Sequence, residues 1–273
     1  MNSMKGSRLT LPFLAVLLLA AFPSALKTLA PDAAVFTSLL NPRALLWISG
    51  LAKLLFLVVA TGLAWRSSAL FERKTPAHTG WRLLYLGLLS SSVAQAILVT
   101  SQVSAAVPEF LASPADLFFL LSYPLFITAL FAFLRAYRES GYPLGTAADR
   151  RATVLITAAV CALIAVLVLK PLLGSAAPAL DKTLDITYTL FDFVLLIPTV
   201  LLLRITLRFP GGAVWRIWIA LLGGFVFVCA GDILFAWFTG MSMPRLDPVV
   251  DLMYIVGYGC LALGTAYQRE LLV

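Results

Sequence analysis

The sequence predicts an all-α, polytopic membrane helix bundle, on the evidence of its composition and of its long apolar segments. Apolar residues make up 61% of the chain and charged residues 12%, and the mean hydropathy is +0.97, far from the values of water-soluble domains. A helix that crosses roughly 30 Å of hydrocarbon needs about 20 mostly apolar residues. Eight segments meet this requirement, at about residues 9–29, 44–65, 82–103, 115–136, 152–171, 184–204, 215–238 and 249–267.

The connections between these spans are short, so we expect residues 1–273 to form a single transmembrane domain. They leave no room for a nucleotide-binding loop or for a nucleic-acid-binding module. The net charge of +7 therefore reflects membrane topology, and no nucleic-acid partner is expected.

The distribution of basic residues predicts the orientation. Most of the 20 Lys and Arg residues flank the spans on one side of the membrane, which the positive-inside rule assigns to the cytoplasm together with both termini. Lys5 and Arg8 before the first span would also suit a cleaved signal peptide. The internal repeat disfavours that alternative, because it needs the first span as a partner.

A motif in the fourth span recurs in the eighth. Asp116-Leu is followed by Tyr123, and Asp251-Leu is followed by Tyr258, at the same spacing. Span three also resembles span seven, and span two resembles span six. Because each half has an even number of spans, the halves are predicted to be parallel repeats related by an axis along the membrane normal. These four-helix repeats cover about residues 9–139 and 150–269.

Polar residues within the spans predict a ligand site in the outer half of the bundle. An Asp or Lys at a span centre costs about 2.5 to 3.5 kcal/mol on insertion scales, so it usually faces the interior and finds a partner. Lys53 is expected to pair with Asp192 or Asp232, which lie deep enough to meet it. The predicted ligand-binding residues are Lys53, Gln95, Asp116, Tyr123, Asp192, Asp232, Asp251 and Tyr258.

Structural roles remain alternatives for several of these residues. Asp116 follows Ser113-Pro114, the layout of a capped helix start, and Asp251 follows Asp247-Pro248 in the same manner. Asp185 is expected to favour the positive end of the sixth span's dipole. A buried ion pair that only holds the bundle together would equally account for the deeper residues.

Few residue types suited to metal or haem chemistry occur in this chain. The single His78 argues against haem, a His-ligated metal and a Ser-His-Asp triad, and the three cysteines have no zinc-site spacing. We therefore expect no cofactor and no metal. Glycines 223, 224, 257 and 259 are expected to permit close helix contact.

Four short motifs occur in a recognisable order. They are Ser-Pro-Ala-Asp-Leu-Phe-Phe-Leu-Leu-Ser-Tyr-Pro-Leu at 113–125, Tyr-Thr-Leu-Phe-Asp at 188–192, Ala-Gly-Asp at 230–232 and Asp-Leu-Met-Tyr-Ile-Val-Gly-Tyr at 251–258. This pattern resembles the multi-span N-terminal input modules of bacterial diguanylate cyclases, cyclic-di-GMP phosphodiesterases and sensor kinases. Gln95 departs from this pattern, because such modules often carry an acidic residue at that position. No output domain follows the last span, so the resemblance implies either a separate partner or a longer architecture.

The resulting hypothesis is a sensory, ligand-binding module of a bacterial inner membrane. A small or lipid-like ligand would enter from outside and shift the two halves, and a cytoplasmic signalling protein would receive the change. Membrane lipids surround it, and an enzymatic activity is not favoured. The alternatives are an intramembrane lipid hydrolase with paired aspartates as acid and base, a transporter, or a structural subunit of a membrane complex.

Overall fold

The computed structural model describes residues 6–33, 35, 40–105, 113–141, 145–208, 210–241 and 247–272. Within these ranges the chain forms eight α-helices and no β-strand. They are α1 Gly6–Leu29, α2 Pro42–Ser68, α3 Pro76–Ala105, α4 Pro114–Glu139, α5 Ala147–Gly174, α6 Ala179–Thr206, α7 Ala213–Met241 and α8 Asp247–Leu272.

Each of these helices is long and apolar enough to cross a membrane, which confirms the predicted all-α polytopic bundle. The chain is thus an integral membrane protein. The Thr10 and Tyr267 hydroxyls lie 2.9 Å apart, so the start of α1 and the end of α8 meet at one end of the bundle. Which side of the membrane this end faces stays a prediction.

Local capping sets several helix starts. The Ser113 hydroxyl accepts a hydrogen bond at the start of α4, while the Asp116 carboxylate accepts the Ser113 amide at 2.7 Å. Thr146 and Asp149 form the same reciprocal arrangement at the start of α5. The helices run beyond the apolar segments read from the sequence. Asp185, expected at the start of its span, consequently lies well inside α6.

Six helices pack into a closed ring. Around the ring the order is α2, α3, α4, α6, α7 and α8, and α8 returns to α2. The remaining two lie outside it, with α1 packed against α8 and α2, and α5 packed against α6 and α7. The ring therefore encloses the space in which polar side chains can meet.

The ring order has the pattern expected of duplicated halves. Under the predicted repeat, α2, α3 and α4 correspond to α6, α7 and α8, so the contact of α4 with α6 corresponds to that of α8 with α2. The outer helices depart from this symmetry, because α5 packs against α7 while α1 packs against α8. The duplication itself stays a prediction.

Glycines allow α7 and α8 to approach closely. A Cβ added to Gly224 would lie 2.7 Å from the Leu261 side chain and 2.9 Å from the Gly257 carbonyl oxygen. A Cβ on Gly257 would in turn meet Val228 and the Gly224 carbonyl oxygen. Gly223 was expected to share this role, but nothing lies within 4 Å of its added Cβ. Gly264 makes a similar approach to Leu221, so close packing of the two helices depends on Gly224, Gly257 and Gly264.

We predict that Gly224→Ala destabilises the bundle by about 1–3 kcal/mol, because the contact is partly with backbone that cannot swing aside. Gly223→Ala is the matched control and should be neutral or slightly stabilising, since Ala favours a helix and meets nothing there. Thermal unfolding of both variants in the same detergent measures the difference. Equal midpoints for the two would contradict the packing assigned to Gly224.

Candidate functional site

A cavity of about 210 Å³ lies within the ring, and all six ring helices contribute to its wall. It lies toward the end of the bundle where α4, α6 and α8 begin. Its polar lining residues are Lys53, Ser91, Gln95, Ser113, Asp116, Ser122, Tyr123, Asp181, Asp185, Tyr188, Asp232, Asp251, Tyr254 and Tyr258. Seven of the eight residues predicted from the sequence are in this wall, and only Asp192 is not.

A tyrosine joins two aspartates at one side of the cavity. The Tyr123 hydroxyl lies 2.9 Å from Asp192 Oδ1 and 2.7 Å from Asp232 Oδ2. The Tyr254 hydroxyl donates a hydrogen bond to the other oxygen of Asp232. A phenol has only one hydrogen to donate, so it cannot serve both carboxylates fully. The second contact becomes a full hydrogen bond only if a carboxyl group supplies the hydrogen.

Asp192 contributes to this network without reaching the cavity. Its side chain is fully buried on α6, and it is joined to the cavity wall by the hydrogen bond from Tyr123. Its second oxygen, Oδ2, is buried with no hydrogen-bond partner among the described residues. Asp192 therefore positions Tyr123 rather than facing a ligand.

Lys53 pairs with a different aspartate from the two that we expected. Its Nζ lies 2.5 Å from Asp251 Oδ1 and 5.8 Å from the centre of the Tyr254 ring. The expectation was wrong because α2 packs against α8, whereas Asp192 and Asp232 lie on α6 and α7. The Asp251 carboxylate thus forms an ion pair with α2, a contact that its position after Pro248 did not predict.

Asp116 has both a structural role and a place in the cavity wall. One carboxylate oxygen completes the cap of α4, and the other accepts a hydrogen bond of 2.8 Å from the Tyr188 hydroxyl of α6. Asp251 contacts α2 through Lys53. The two motif aspartates therefore each join their own helix to a helix of the other predicted half.

Three further polar groups on the cavity wall are less completely paired. The side chains of Asp185 and Tyr258, each 7% exposed, make no hydrogen bond to the residues described here. The Gln95 amide donates to the Gly50 carbonyl oxygen at 3.3 Å, which leaves its own oxygen open. Buried polar groups usually have partners. These three are therefore the groups that a bound molecule could satisfy.

Sequence reasoning missed three residues of the site. Asp185 was assigned to the helix dipole, and Tyr188 and Tyr254 were not among the predicted ligand-binding residues. Helical spacing offered a signal, because Tyr188 lies between Asp185 and Asp192 on one stripe of α6, and Tyr254 lies one turn from Asp251 and from Tyr258. The spacing alone did not identify their partners.

Comparison with protein-family models, with curated proteins and with solved structures finds no match. In the part of the chain that the structure describes, no three His, Cys, Asp or Glu side chains lie close enough together to hold a metal ion. The function is therefore argued from the cavity itself.

We predict that Tyr123→Phe destabilises the protein by about 1–3 kcal/mol, because it leaves the buried carboxylates of Asp192 and Asp232 short of a donor. Tyr258→Phe is the matched control, since it removes a phenol hydroxyl at the equivalent position of the other predicted repeat, where the hydroxyl has no described partner. Thermal or denaturant unfolding in detergent measures both. A similar loss in the two variants would contradict the bridging role of Tyr123.

The Lys53–Asp251 pair predicts a measurable coupling energy. Lys53→Met removes the cation that pairs with the Asp251 carboxylate, whose side chain is only 22% exposed. We therefore expect the free energy of unfolding to fall by about 2 kcal/mol. Adding Asp251→Asn should recover part of this loss. A double-mutant cycle should give a coupling of about 1–3 kcal/mol, and strictly additive effects would show that the pair is not formed.

Proposed function

We propose that this protein is a membrane-embedded sensory module that binds a small, cationic or hydrogen-donating ligand in the ring cavity. One observation carries the proposal: within an apolar bundle, the cavity has unpaired polar groups on its wall. Polar residues at membrane depth are costly and usually mark a functional site. In this proposal the ligand contacts the carboxylate of Asp185, which has no hydrogen-bond partner among the described residues.

The volume of the cavity favours a small ligand over a whole lipid. Drug-sized ligand sites typically measure about 300–1,000 Å³, and this cavity measures about 210 Å³. At about 30 Å³ for each water molecule, it has room for roughly seven waters. Of the two ligand classes expected from the sequence, the small polar one fits better than the lipid-like one.

The charges of the wall favour a ligand that carries hydrogen-bond donors. Among the described residues, one lysine and five aspartates line the cavity, and that lysine is already paired with one of them, Asp251. An ammonium group could contact the Asp185 carboxylate and the Gln95 oxygen. The tyrosine rings on the wall would add cation–π attraction.

The position of the cavity between the predicted halves supports a signalling role. The ring contacts that join the halves, α4 with α6 and α8 with α2, both border the cavity. A ligand can shift an equilibrium between two arrangements only by binding one of them better. A ligand that contacts α3, α6 and α8 at once would favour one relative position of the halves.

The receiving partner in this proposal is a cytoplasmic signalling protein, and the membrane is a bacterial inner membrane. The motifs that resemble input modules of cyclases and kinases support this assignment, as does the clustering of arginines at the end opposite the cavity. A lipid hydrolase with paired aspartates is less well supported. Asp192 is fully buried behind Tyr123, where it could not act on a substrate directly.

The proposal predicts that small amines stabilise the purified protein against thermal unfolding, whereas neutral alcohols of matched size do not. At a ligand concentration of about 100 times Kd, the gain should approach roughly 2.7 kcal/mol. Asp185→Asn should abolish this gain while leaving the unliganded midpoint near that of the wild type, because the carboxylate has no described partner to lose.

The matched control is Asp181→Asn, which removes a carboxylate from the same wall one turn nearer the start of α6. We expect it to weaken amine stabilisation less than Asp185→Asn. Stabilisation that persists unchanged in Asp185→Asn would contradict the proposed contact. Failure of every amine in the panel to stabilise the wild type would contradict a cationic ligand.

A further inference from the structure

A second concave site lies at the opposite end of the bundle, between α4, α5 and α6. This arginine cleft has a volume of about 530 Å³, and its basic residues are Arg135, Arg138, Arg150, Arg204 and Arg208. On α4 the lining of the ring cavity extends to Phe126 and that of the cleft begins at Phe131, while the charged groups of the two sites, Asp116 and Arg138, lie about 33 Å apart along that helix. The ligand proposed for the cavity therefore cannot account for the cleft.

Part of this charge is already used within the protein. Arg204 donates to the Asp149 carbonyl oxygen and to the Thr153 hydroxyl, and it lies 3.1 Å from the Asp149 carboxylate. Arg135 donates to Glu139 at 2.7 Å. These contacts neutralise two of the arginines and hold the walls of the cleft in place.

The other three arginines retain most of their hydrogen-bond donors. Arg150 donates once, at 2.7 Å to the Gly145 carbonyl oxygen, and Arg208 approaches Asp149 only to 3.9 Å. Arg138 is exposed and has no hydrogen bond or ion pair to the described residues. A guanidinium group has five N–H donors in a fixed fork that suits phosphate oxygens. The cleft therefore offers unpaired N–H groups that can donate to phosphate oxygens, and these come from α4, from α5 and from the turn that follows α6.

Apolar side chains form the deeper wall of the cleft. They are Phe131, Leu134, Leu201 and Ile205, each about one turn from an arginine and farther from the end of the bundle. Phe131 is 47% exposed although it lies within a membrane-spanning helix. A soluble phosphate compound would use only the arginines, whereas a phospholipid would place its phosphate against the arginines and its acyl chain against this wall.

We propose that the arginine cleft binds the phosphate headgroup of an anionic phospholipid from the leaflet at that end of the bundle. Arg138, Arg150 and Arg208 contact the phosphate, and Phe131 and Leu201 contact the first part of an acyl chain. This site is independent of the function proposed for the ring cavity. Because the cleft joins α4 to α6, a bound lipid would also brace one of the two contacts between the predicted halves.

Native mass spectrometry of the full chain in detergent tests the proposal, with phosphatidylglycerol and phosphatidylcholine of identical acyl chains as probes. The wild type should retain phosphatidylglycerol in preference to phosphatidylcholine. Arg138→Gln and Arg208→Gln should each weaken that preference roughly fivefold, the effect expected of one basic residue near an anionic headgroup. The matched control is Arg66→Gln at the exposed end of α2, which removes one charge at the same end but outside the cleft, and it should retain the preference.

An equal loss in Arg66→Gln would overturn the proposal, since it would show general attraction to a basic surface. Unchanged binding in Arg138→Gln would overturn it as well, and this variant tests the site even if Arg208→Gln does not fold, because Arg138 has no described partner. Excess glycerol 3-phosphate should not displace the lipid. Complete displacement would show a site for soluble phosphate compounds and overturn the lipid assignment.

Discussion

The structure depends on the need of polar side chains, buried among apolar helices, to find their partners inside the bundle. Lipid supplies no alternative at that depth. Tyr123 and Tyr254 both bond Asp232, Lys53 pairs with Asp251, and Tyr188 bonds Asp116. Because these contacts join different helices of the ring, satisfying the polar groups also fixes which helices are neighbours.

The two predicted repeats use their equivalent positions differently. On the side of the ring formed by α4, α6 and α7, the Tyr123 hydroxyl contacts both Asp192 and Asp232. The side formed by α8, α2 and α3 carries Lys53 and Gln95, and there the hydroxyl of Tyr258 has no described partner. If both sides of the ring carried the same hydrogen-bond network, polar groups would fill its centre. Because the two sides differ, some polar groups on the cavity wall have no hydrogen-bond partner among the described residues.

Two sites of opposite charge lie at opposite ends of the same helices. The cavity gathers carboxylates near the starts of α4 and α6, and the arginine cleft gathers guanidinium groups near their ends. Any movement of α4 against α6 alters both sites, because each is built on that contact. A small ligand at one end and a lipid at the other would thus act on the same contact between the halves.

The sequence by itself determined the eight membrane helices, the capped start at Asp116 and half of the polar residues on the cavity wall. These follow from local properties, namely the length of an apolar run, the residues at a helix start and the presence of a polar residue within hydrocarbon. The tertiary structure decided that Lys53 pairs with Asp251, that Asp192 stays behind Tyr123 and that Asp185 faces the cavity. Helical periodicity assigns a residue to a face, but the order of helices in the ring determines what that face meets.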